Sequence, residues 1–238
     1  MPKVKILGIS ASPRKKGNSQ FLLERALAAA EEAIPGGVES EMQSLAGKKI
    51  SYCLSCFKCL EKGDCIIEDD FQALRDKWVG ADAILYSVPV YHMGLPGQLK
   101  CFIDRLGNTI FVRYNGAPKF LKITGNIVQG AHIFAGQEQV LIALITHAIL
   151  MGCLPVGGDP WQCYIGAGGW TRNGMATDSL SQLYEEGEED AQAAVVGAES
   201  VGKRLAQTTL LIKSGGEACR DLLSQEETFG PFLSRLDS

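Results

Sequence analysis

Four cysteines lie close together in the first third of the chain, with the spacing Cys53-x2-Cys56-x2-Cys59-x5-Cys65. Thiolates are soft ligands that suit iron–sulfur clusters and zinc, and four of them complete a ligand set. The short spacings allow a single loop to wrap a compact cubane, and Gly63 permits the turn that brings Cys65 back. The motif therefore predicts one [4Fe-4S] cluster that is ligated by these four thiolates.

Two other interpretations of the cysteine motif stay open at this point. Tetrahedral zinc also takes four thiolates, but zinc knuckles usually come as two separated pairs. A redox-active Cys-x-x-Cys pair needs only two of the four thiols and leaves the others idle. The remaining cysteines are scattered, which is typical of small buried hydrophobic side chains; they are Cys101, Cys153, Cys163 and Cys219.

A second group of polar residues follows the first predicted strand. This loop offers the hydroxyls of Ser10, Ser12 and Ser19, the Asn18 amide and the Arg14 guanidinium. It leads into a predicted helix, whose N-terminal N–H groups and dipole favour a phosphate. The chain lacks the Gly-Lys-Ser/Thr of a nucleoside triphosphate loop, and no G-x-G-x-x-G follows a strand. A phosphomonoester such as that of FMN fits best, with a capped loop that binds no ligand as the alternative.

The loop after the third predicted strand is Pro89-Val90-Tyr91-His92-Met93-Gly94. It combines a rigid start with an aromatic ring, an imidazole and a thioether. An isoalloxazine ring needs flat apolar contacts together with backbone donors and acceptors for its polar edge. This loop is therefore predicted to bind the flavin ring, and a surface turn with Tyr91 packed locally is the alternative. His92 is expected at the rim rather than as a proton donor.

Strands and helices alternate along the chain and must position these loops. Strands are predicted at 3–9, 38–45, 83–88, 119–128 and 154–156, and helices at 19–32, 70–78, 96–104, 137–151 and 191–211. The alternation predicts an α/β fold with a doubly wound, five-stranded parallel sheet in three layers. In a flavodoxin-like strand order, ligands bind where the loops leave the first and third strands. The segment 166–170 is expected to be a lid or a loop.

Composition and charge exclude several classes of protein. Hydrophobic residues make up 46 % of the 238 residues, charged residues 21 %, and the net charge is −4, so neither disorder nor an electrostatic footprint for nucleic acid or membrane is expected. The longest apolar stretch, 140–156, is interrupted and suits a buried helix better than a membrane span. No signal peptide pattern is found, and a cytoplasmic location is expected. We expect one domain at 1–211 with the cysteine loop at 49–67, and a patternless, mobile or docking tail at 212–238.

Several stretches together resemble the NAD(P)H-dependent FMN reductase group of the flavodoxin-like superfamily. Gly8-Ile9-Ser10-Ala11-Ser12-Pro13-Arg14, with Gly17-Asn18-Ser19, is similar to the FMN phosphate loop of that group. The cysteine run, followed by Asp69-Asp70, Ser87-Val88-Pro89-Val90-Tyr91 and Leu99-Lys100-x-x-Ile103-Asp104-Arg105, resembles the iron–sulfur flavoprotein branch. Ala11 stands where the family usually has glycine.

The resemblance implies one FMN and one [4Fe-4S] cluster per chain, with NAD(P)H as co-substrate. It also implies a homo-oligomer, either a dimer or a tetramer of dimers, in which the cluster of one chain lies near the FMN of another. Electrons would pass between a two-electron donor or acceptor and a one-electron carrier such as ferredoxin. The cofactors carry this chemistry, so no catalytic side chain is predicted. A cluster-free NAD(P)H-dependent FMN or quinone reductase and a non-enzymatic redox sensor are the alternatives.

Overall fold

A parallel sheet carries both loops that hold candidate FMN-binding residues. The computed structural model describes residues 2–114 and 118–237. Its strands are β1 (Val4–Ser10), β2 (Val38–Ser44), β3 (Ala83–Pro89), β4 (Ile123–Gly130), β5 (Leu154–Val156) and β6 (Ala167–Trp170). Its helices are α1 (Asn18–Ala33), α2 (Lys58–Lys62), α3 (Phe71–Gly80), α4 (Gly97–Arg113), α5 (Gln137–Leu150), α6 (Ser179–Glu185), α7 (Glu189–Ala218), α8 (Arg220–Leu223) and α9 (Gly230–Leu236).

The strand order is β2-β1-β3-β4-β5, and the strands pair in parallel. This is the flavodoxin-like order, and it confirms the predicted fold. β5 pairs only with the start of β4, and β6 pairs with the end of β4, with Ile127 opposite Ala167. The segment 166–170 therefore adds a short strand to the sheet, so its prediction as a lid or a loop is wrong.

The sheet is covered on both faces, because its central strands are almost continuously apolar. β1 and β3 are buried nearly throughout, as expected for parallel strands between two helical layers. On one face α1 and α7 bury residues such as Leu23 and Val201 against the sheet. On the other face α3, α4 and α5 contribute Trp78, Phe102 and Leu144. The result is the predicted arrangement of three layers.

α5 is apolar on nearly all sides, and the sheet covers only one of them. Val140 and Leu144 are buried, whereas Ile142 and Ile149 are 54 % and 60 % exposed. Among the residues that the structure describes, no helix has both the length and the apolar character that crossing a bilayer requires. The outer face of α5 is thus an apolar surface on a helix whose inner face is already packed.

The C-terminal segment is helical and packs at the amino end of the sheet. α7 continues to Ala218, beyond its predicted end at residue 211, and α8 and α9 follow. Phe232 is buried, Arg235 Nη2 donates to Phe120 O at 2.5 Å, and Lys213 Nζ donates to Asp82 Oδ2 at 2.7 Å. The sequence predicts no regular secondary structure for this segment, but residues 213–237 are mainly helical, so that prediction is wrong for them. The division into a domain at 1–211 and a tail at 212–238 stays a prediction.

Candidate functional site

A cavity of about 110 Å³ lies where the loops after β1 and β3 meet. The two loops are neighbours because Ser10 and Ser87 are paired at the carboxyl ends of adjacent parallel strands. Six of the predicted FMN-binding residues line this cavity: Ser12, Arg14, Asn18, Pro89, Val90 and Tyr91. The cavity therefore sits at the switch point of the sheet, where doubly wound folds bind their ligands.

The entrance to α1 has the charge arrangement that a phosphate needs. Gly17 occupies the cap position. Because glycine has no side chain, no capping side chain accepts from the first N–H groups of the helix. Such N–H groups, together with the helix dipole, attract anions. Ser12 Oγ accepts a hydrogen bond from Arg14 N at 3.1 Å, which fixes the loop that carries the guanidinium.

Buried polar atoms near this cavity fit a bound ligand. Gln129 lines the cavity, and its buried Oε1 has no hydrogen-bond partner among the described residues. Buried polar atoms are normally paired, so such an atom marks a place where a further partner fits. Ser10 and Ser19 are also buried, and their hydroxyls have no hydrogen-bond partner in the described part of the chain, but neither residue belongs to the cavity wall. Ser19 instead accepts a hydrogen bond at its carbonyl from Ser87 Oγ at 2.6 Å.

The second loop turns tightly and points its tip outward. Tyr91 and Gly94 exchange two backbone hydrogen bonds, both of 3.0 Å. Between them His92 and Met93 have φ angles of 46° and 65°, in the left-handed region that non-glycine residues rarely adopt. His92, Met93 and Gly94 lie outside the 110 Å³ cavity, and His92 is exposed. Met93 contributes instead to a groove of about 830 Å³ that also contains the start of α5, beginning with Gln137.

Sequence reasoning missed one wall of the cavity. This wall comes from the end of β4 and from the segments after β4 and β6, and it consists of Gln129, Ala131, Thr171, Gly174, Met175, Ala176 and Thr177. Arg14 Nη1 donates to Met175 O at 3.0 Å, and Asn18 Oδ1 accepts from Leu180 N at 2.9 Å. Two predicted residues thus hold this missed segment in place. The segment carries no motif, and β6, which places it, has the sequence Ala-Gly-Gly-Trp without a strand pattern.

The four motif cysteines line a second cavity, of about 220 Å³. All four are free thiols. Most of the remaining wall is apolar and consists of Leu54, Phe57, Leu60, Ile66, Ile67, Phe111 and Val112. Within residues 2–114 and 118–237, no three His, Cys, Asp or Glu side chains converge closely enough to hold a single metal ion. Four thiolates complete the ligand set of one cluster, so the donor set and the apolar lining fit an iron–sulfur cluster.

The backbone of the cysteine loop bends sharply between its ligands. Ser55 and Phe57 have φ angles of 50° and 55°, and Gly63 ends α2 with a φ of 70°. Gly63 N donates to Cys59 O at 2.9 Å, which closes the turn that the sequence predicts there. Burial, together with nearby Cys65 and Cys56, raises the pKa of the Cys59 thiol. The loop thus holds its sulfurs close enough for their charges to interact.

A buried ion pair joins the two ends of the cysteine loop. Arg105 donates from Nη1 to both carboxylate oxygens of Asp69, at 2.8 and 2.7 Å. Asp69 accepts from Ser51 N at 2.8 Å, and Arg105 Nη2 donates to Ile67 O at 2.6 Å. Burial raises the pKa of Asp69, but the hydrogen bonds from Ser51 and Arg105 outweigh it and hold the pKa below its usual value. The pair therefore fixes the residues that flank the motif on both sides.

The other cysteines differ in burial. Cys153 and Cys163 are buried, as predicted, and Cys101 is half-buried. Cys219 is exposed at the end of α7, so the prediction of a buried side chain is wrong there. In the part of the chain that the structure describes, the 110 Å³ and 220 Å³ cavities have no wall residue in common.

Comparison with known proteins identifies the family of this chain. Residues 4–161 match the family described as NADPH-dependent FMN reductase. An iron–sulfur flavoprotein of Methanocaldococcus jannaschii is 32 % identical over 212 residues, which cover 88 % of this chain and 100 % of that protein. An iron–sulfur flavoprotein of Archaeoglobus fulgidus is 34 % identical over 183 residues, covering 77 % of this chain and 88 % of that protein.

The chain belongs to the NADPH-dependent FMN reductase family, in the branch of the iron–sulfur flavoproteins. A solved azoreductase of Bacillus anthracis shares the fold, with a TM-score of 0.57 and 18 % identity over 84 % of this chain and 99 % of that one. The family placement confirms the predicted resemblance. As a member of this family the protein is a flavin-dependent oxidoreductase.

Proposed function

We propose that this protein carries a [4Fe-4S] cluster beside its FMN and moves electrons between a two-electron donor or acceptor and a one-electron carrier. The observation that carries the proposal is the apolar cavity lined by four free thiols, Cys53, Cys56, Cys59 and Cys65. Thiolates in this number complete the ligand set of one cluster, and an apolar shell limits solvent access. The names of the relatives, which are iron–sulfur flavoproteins, support the same assignment.

The FMN phosphate is assigned to the first loop. There Ser12, Arg14 and the open N-terminus of α1 supply hydrogen-bond donors and positive charge. Ser10 and Ser19 support this loop from within the fold, and Asn18 holds the segment around Leu180 across the cavity. These residues bind and orient the phosphate end of the cofactor at the cavity of about 110 Å³.

The flavin ring is assigned to the second loop and to the groove next to it. Pro89, Val90 and Tyr91 form the edge shared with the phosphate cavity. Met93 leads into the groove of about 830 Å³, which falls in the size range of ligand sites. The turn that contains His92, Met93 and Gly94 is proposed to contact the ring through its backbone. When bound, FMN accepts electrons in pairs and the cluster transfers them singly, with NAD(P)H as co-substrate.

We assign the contact between the two cofactors to a homo-oligomer, a dimer or a tetramer of dimers. The described walls of the two cavities are separate, and in this assignment a second chain supplies the short electron path between the cofactors. The cysteine loop exposes Tyr52, Leu54 and Phe57 by more than half, and α5 exposes Ile142 and Ile149. Exposed apolar surfaces of this kind are typical of protein interfaces. Ferredoxin as the one-electron partner and a cytoplasmic location stay predictions.

The test is an anaerobic purification with a visible spectrum and with counts of flavin, iron and sulfide per chain. We expect flavin and a four-iron cluster in the wild type, and Cys56→Ala to lose the iron but keep FMN, because the cavities have separate walls. Cys219→Ala, which removes an exposed thiol outside the motif, is the matched control and should keep its iron. Flavin bands without iron in the wild type, or full iron in Cys56→Ala, would contradict the proposal. The first result would favour a cluster-free reductase.

A further inference from the structure

Two hydrogen-bond donors reach the same sulfur atom in the cysteine cavity. Ser55 N and Asn108 Nδ2 both lie 3.4 Å from Cys53 Sγ. The first donor is backbone of the cysteine loop itself. The second is the side chain of a residue on α4, far from the motif in sequence. Asn108 therefore contacts a proposed ligand without being a ligand, and no sequence motif identifies it.

The position of Asn108 is fixed by the helix that carries it. Leu106 and Ile110 on α4 are buried in the core, so the helix cannot rotate without losing that packing. Arg105, one turn before Asn108, holds both ends of the cysteine loop through Asp69 and Ile67. The same helix thus anchors the loop and presents an amide N–H to one of its sulfurs.

We propose that Asn108 sets the reduction potential of the cluster by donating a hydrogen bond to Cys53 Sγ. This inference rests on the proposed function, because it requires the cluster. The couple is the addition of one electron to [4Fe-4S]²⁺, which gives [4Fe-4S]⁺. An N–H donor withdraws negative charge from a thiolate, so it stabilises the more negative reduced state and raises the potential. Asn108 acts through Cys53 and touches neither substrate nor flavin in this assignment.

The surroundings of Asn108 predict a graded response to substitution. Asn108 is exposed and also lines a shallower cavity of about 360 Å³ that contains Cys53. In Asn108→Ala, water can enter and replace part of the lost hydrogen bond. In Asn108→Leu, a branched apolar side chain of similar size occupies the space and excludes that water. The leucine variant should therefore have the more negative potential of the two.

The experiment is an anaerobic redox titration with dithionite, in which the reduced cluster is followed by electron paramagnetic resonance. We expect midpoint potentials in the order wild type, then Asn108→Ala, then Asn108→Leu as the most negative. Asn108→Gln keeps the amide, so its midpoint potential should lie close to that of the wild type. Thr109→Val is the matched control: Thr109 lines the 220 Å³ cysteine cavity together with Asn108, but its hydroxyl donates to Arg105 O and Leu106 O, so its loss should leave the potential unchanged.

Iron, sulfide and flavin counts accompany every variant and separate the outcomes. An unchanged potential in Asn108→Leu with full iron would overturn the inference and leave the proposed function intact. Loss of iron from all three Asn108 variants, with flavin and helicity retained, would also overturn it, since the residue would then be needed for cluster retention. A wild type without iron would overturn the proposed function and this inference together.

Discussion

Arg14 shows how one side chain connects the predicted and the missed parts of the FMN site. Its guanidinium donates to Met175 O, which places a positive charge above the segment that follows β6. The sequence alone indicates a cation in a phosphate loop, because Arg14 stands between a strand and an open helix N-terminus. The contact with Met175 is not predictable, since 161 residues separate the two partners.

Replacement of Arg14 should weaken flavin binding. Arg14→Gln removes a charge-assisted hydrogen bond, worth about 1.5–3 kcal/mol, and screening of an exposed group favours the lower end. We therefore expect the Kd for FMN to rise about tenfold, measured by quenching of flavin fluorescence. Lys15→Gln is the control, because Lys15 is an exposed neighbouring cation outside the cavity wall. An equal loss of affinity in both variants would assign the effect to general electrostatics and not to Arg14.

At the scale of elements, buried contacts decide the boundaries that sequence patterns leave vague. The first three strands and the helix after β1 are predicted to within about two residues, because their apolar periodicity matches their burial. β4 begins at Ile123 and not at Lys119, because Leu121 has a φ of 51° and so interrupts the extended backbone just before the strand. β6 is missed because its glycines carry no pattern, although β4 supplies a pairing edge for it.

The cysteine motif fixes the ligand set but not the contacts that hold its loop. The spacing of the four thiols can be recognised in the sequence. The Asp69–Arg105 pair cannot, because its partners are 36 positions apart. From the sequence alone, both residues stand out only as part of the family resemblance. Their role becomes visible once Ser51 and Ile67 are seen to bond to the same pair.

Asp69→Asn should destabilise the cysteine loop. The Arg105 side chain is 0 % exposed, so loss of its anionic partner leaves a buried charge unpaired. Such losses cost about 3–5 kcal/mol, and urea unfolding at pH 7 should show a free energy of unfolding lower by about that amount. Asp104→Asn, which removes an exposed pair with Lys100, is the control and should change it by less than about 1 kcal/mol.

The same variant gives a test by pH. The pKa of Asp69 is lowered by folding, so its contribution is fully present above the unfolded pKa of about 3.9. The contribution is lost as the pH falls through the lower folded pKa, because a protonated Asp69 no longer forms the ion pair with Arg105 in the folded state. The difference between wild type and Asp69→Asn should therefore be constant from pH 7 to about pH 4.5 and shrink below pH 4. A difference that grew in acid would contradict the assignment.

For the whole molecule, the two edges of the sheet have different tasks. The carboxyl edge carries the FMN cavity, while the amino edge holds buried charges around Asp82. Lys213 from α7 and Arg235 from α9 both reach that carboxylate, at 2.7 and 3.6 Å. The C-terminal segment thus packs at the amino ends of the strands. The cofactor loops lie at the opposite, carboxyl ends.

Arg235→Met should lower stability without weakening flavin binding. The change keeps much of the side-chain volume but removes the donor to Phe120 O and a cation near Asp82. We expect the free energy of unfolding to fall by about 2–4 kcal/mol, with the Kd for FMN unchanged. Arg220→Met, at a partly exposed arginine that pairs with Glu217 and Asp237, is the control and should have little effect on either quantity. A weaker flavin affinity in Arg235→Met would contradict the separation of the two edges.

The separate walls of the two cavities also bear on biosynthesis. If both prosthetic groups bind as proposed, a newly made chain can take up its flavin before any iron is delivered. Oxidative damage to the exposed Cys56 then costs the chain its inorganic centre alone. Where oxidation stops at a sulfenic acid or a disulfide, repair requires only reduction of the oxidised sulfur to the thiol and fresh iron and sulfide, while FMN stays bound.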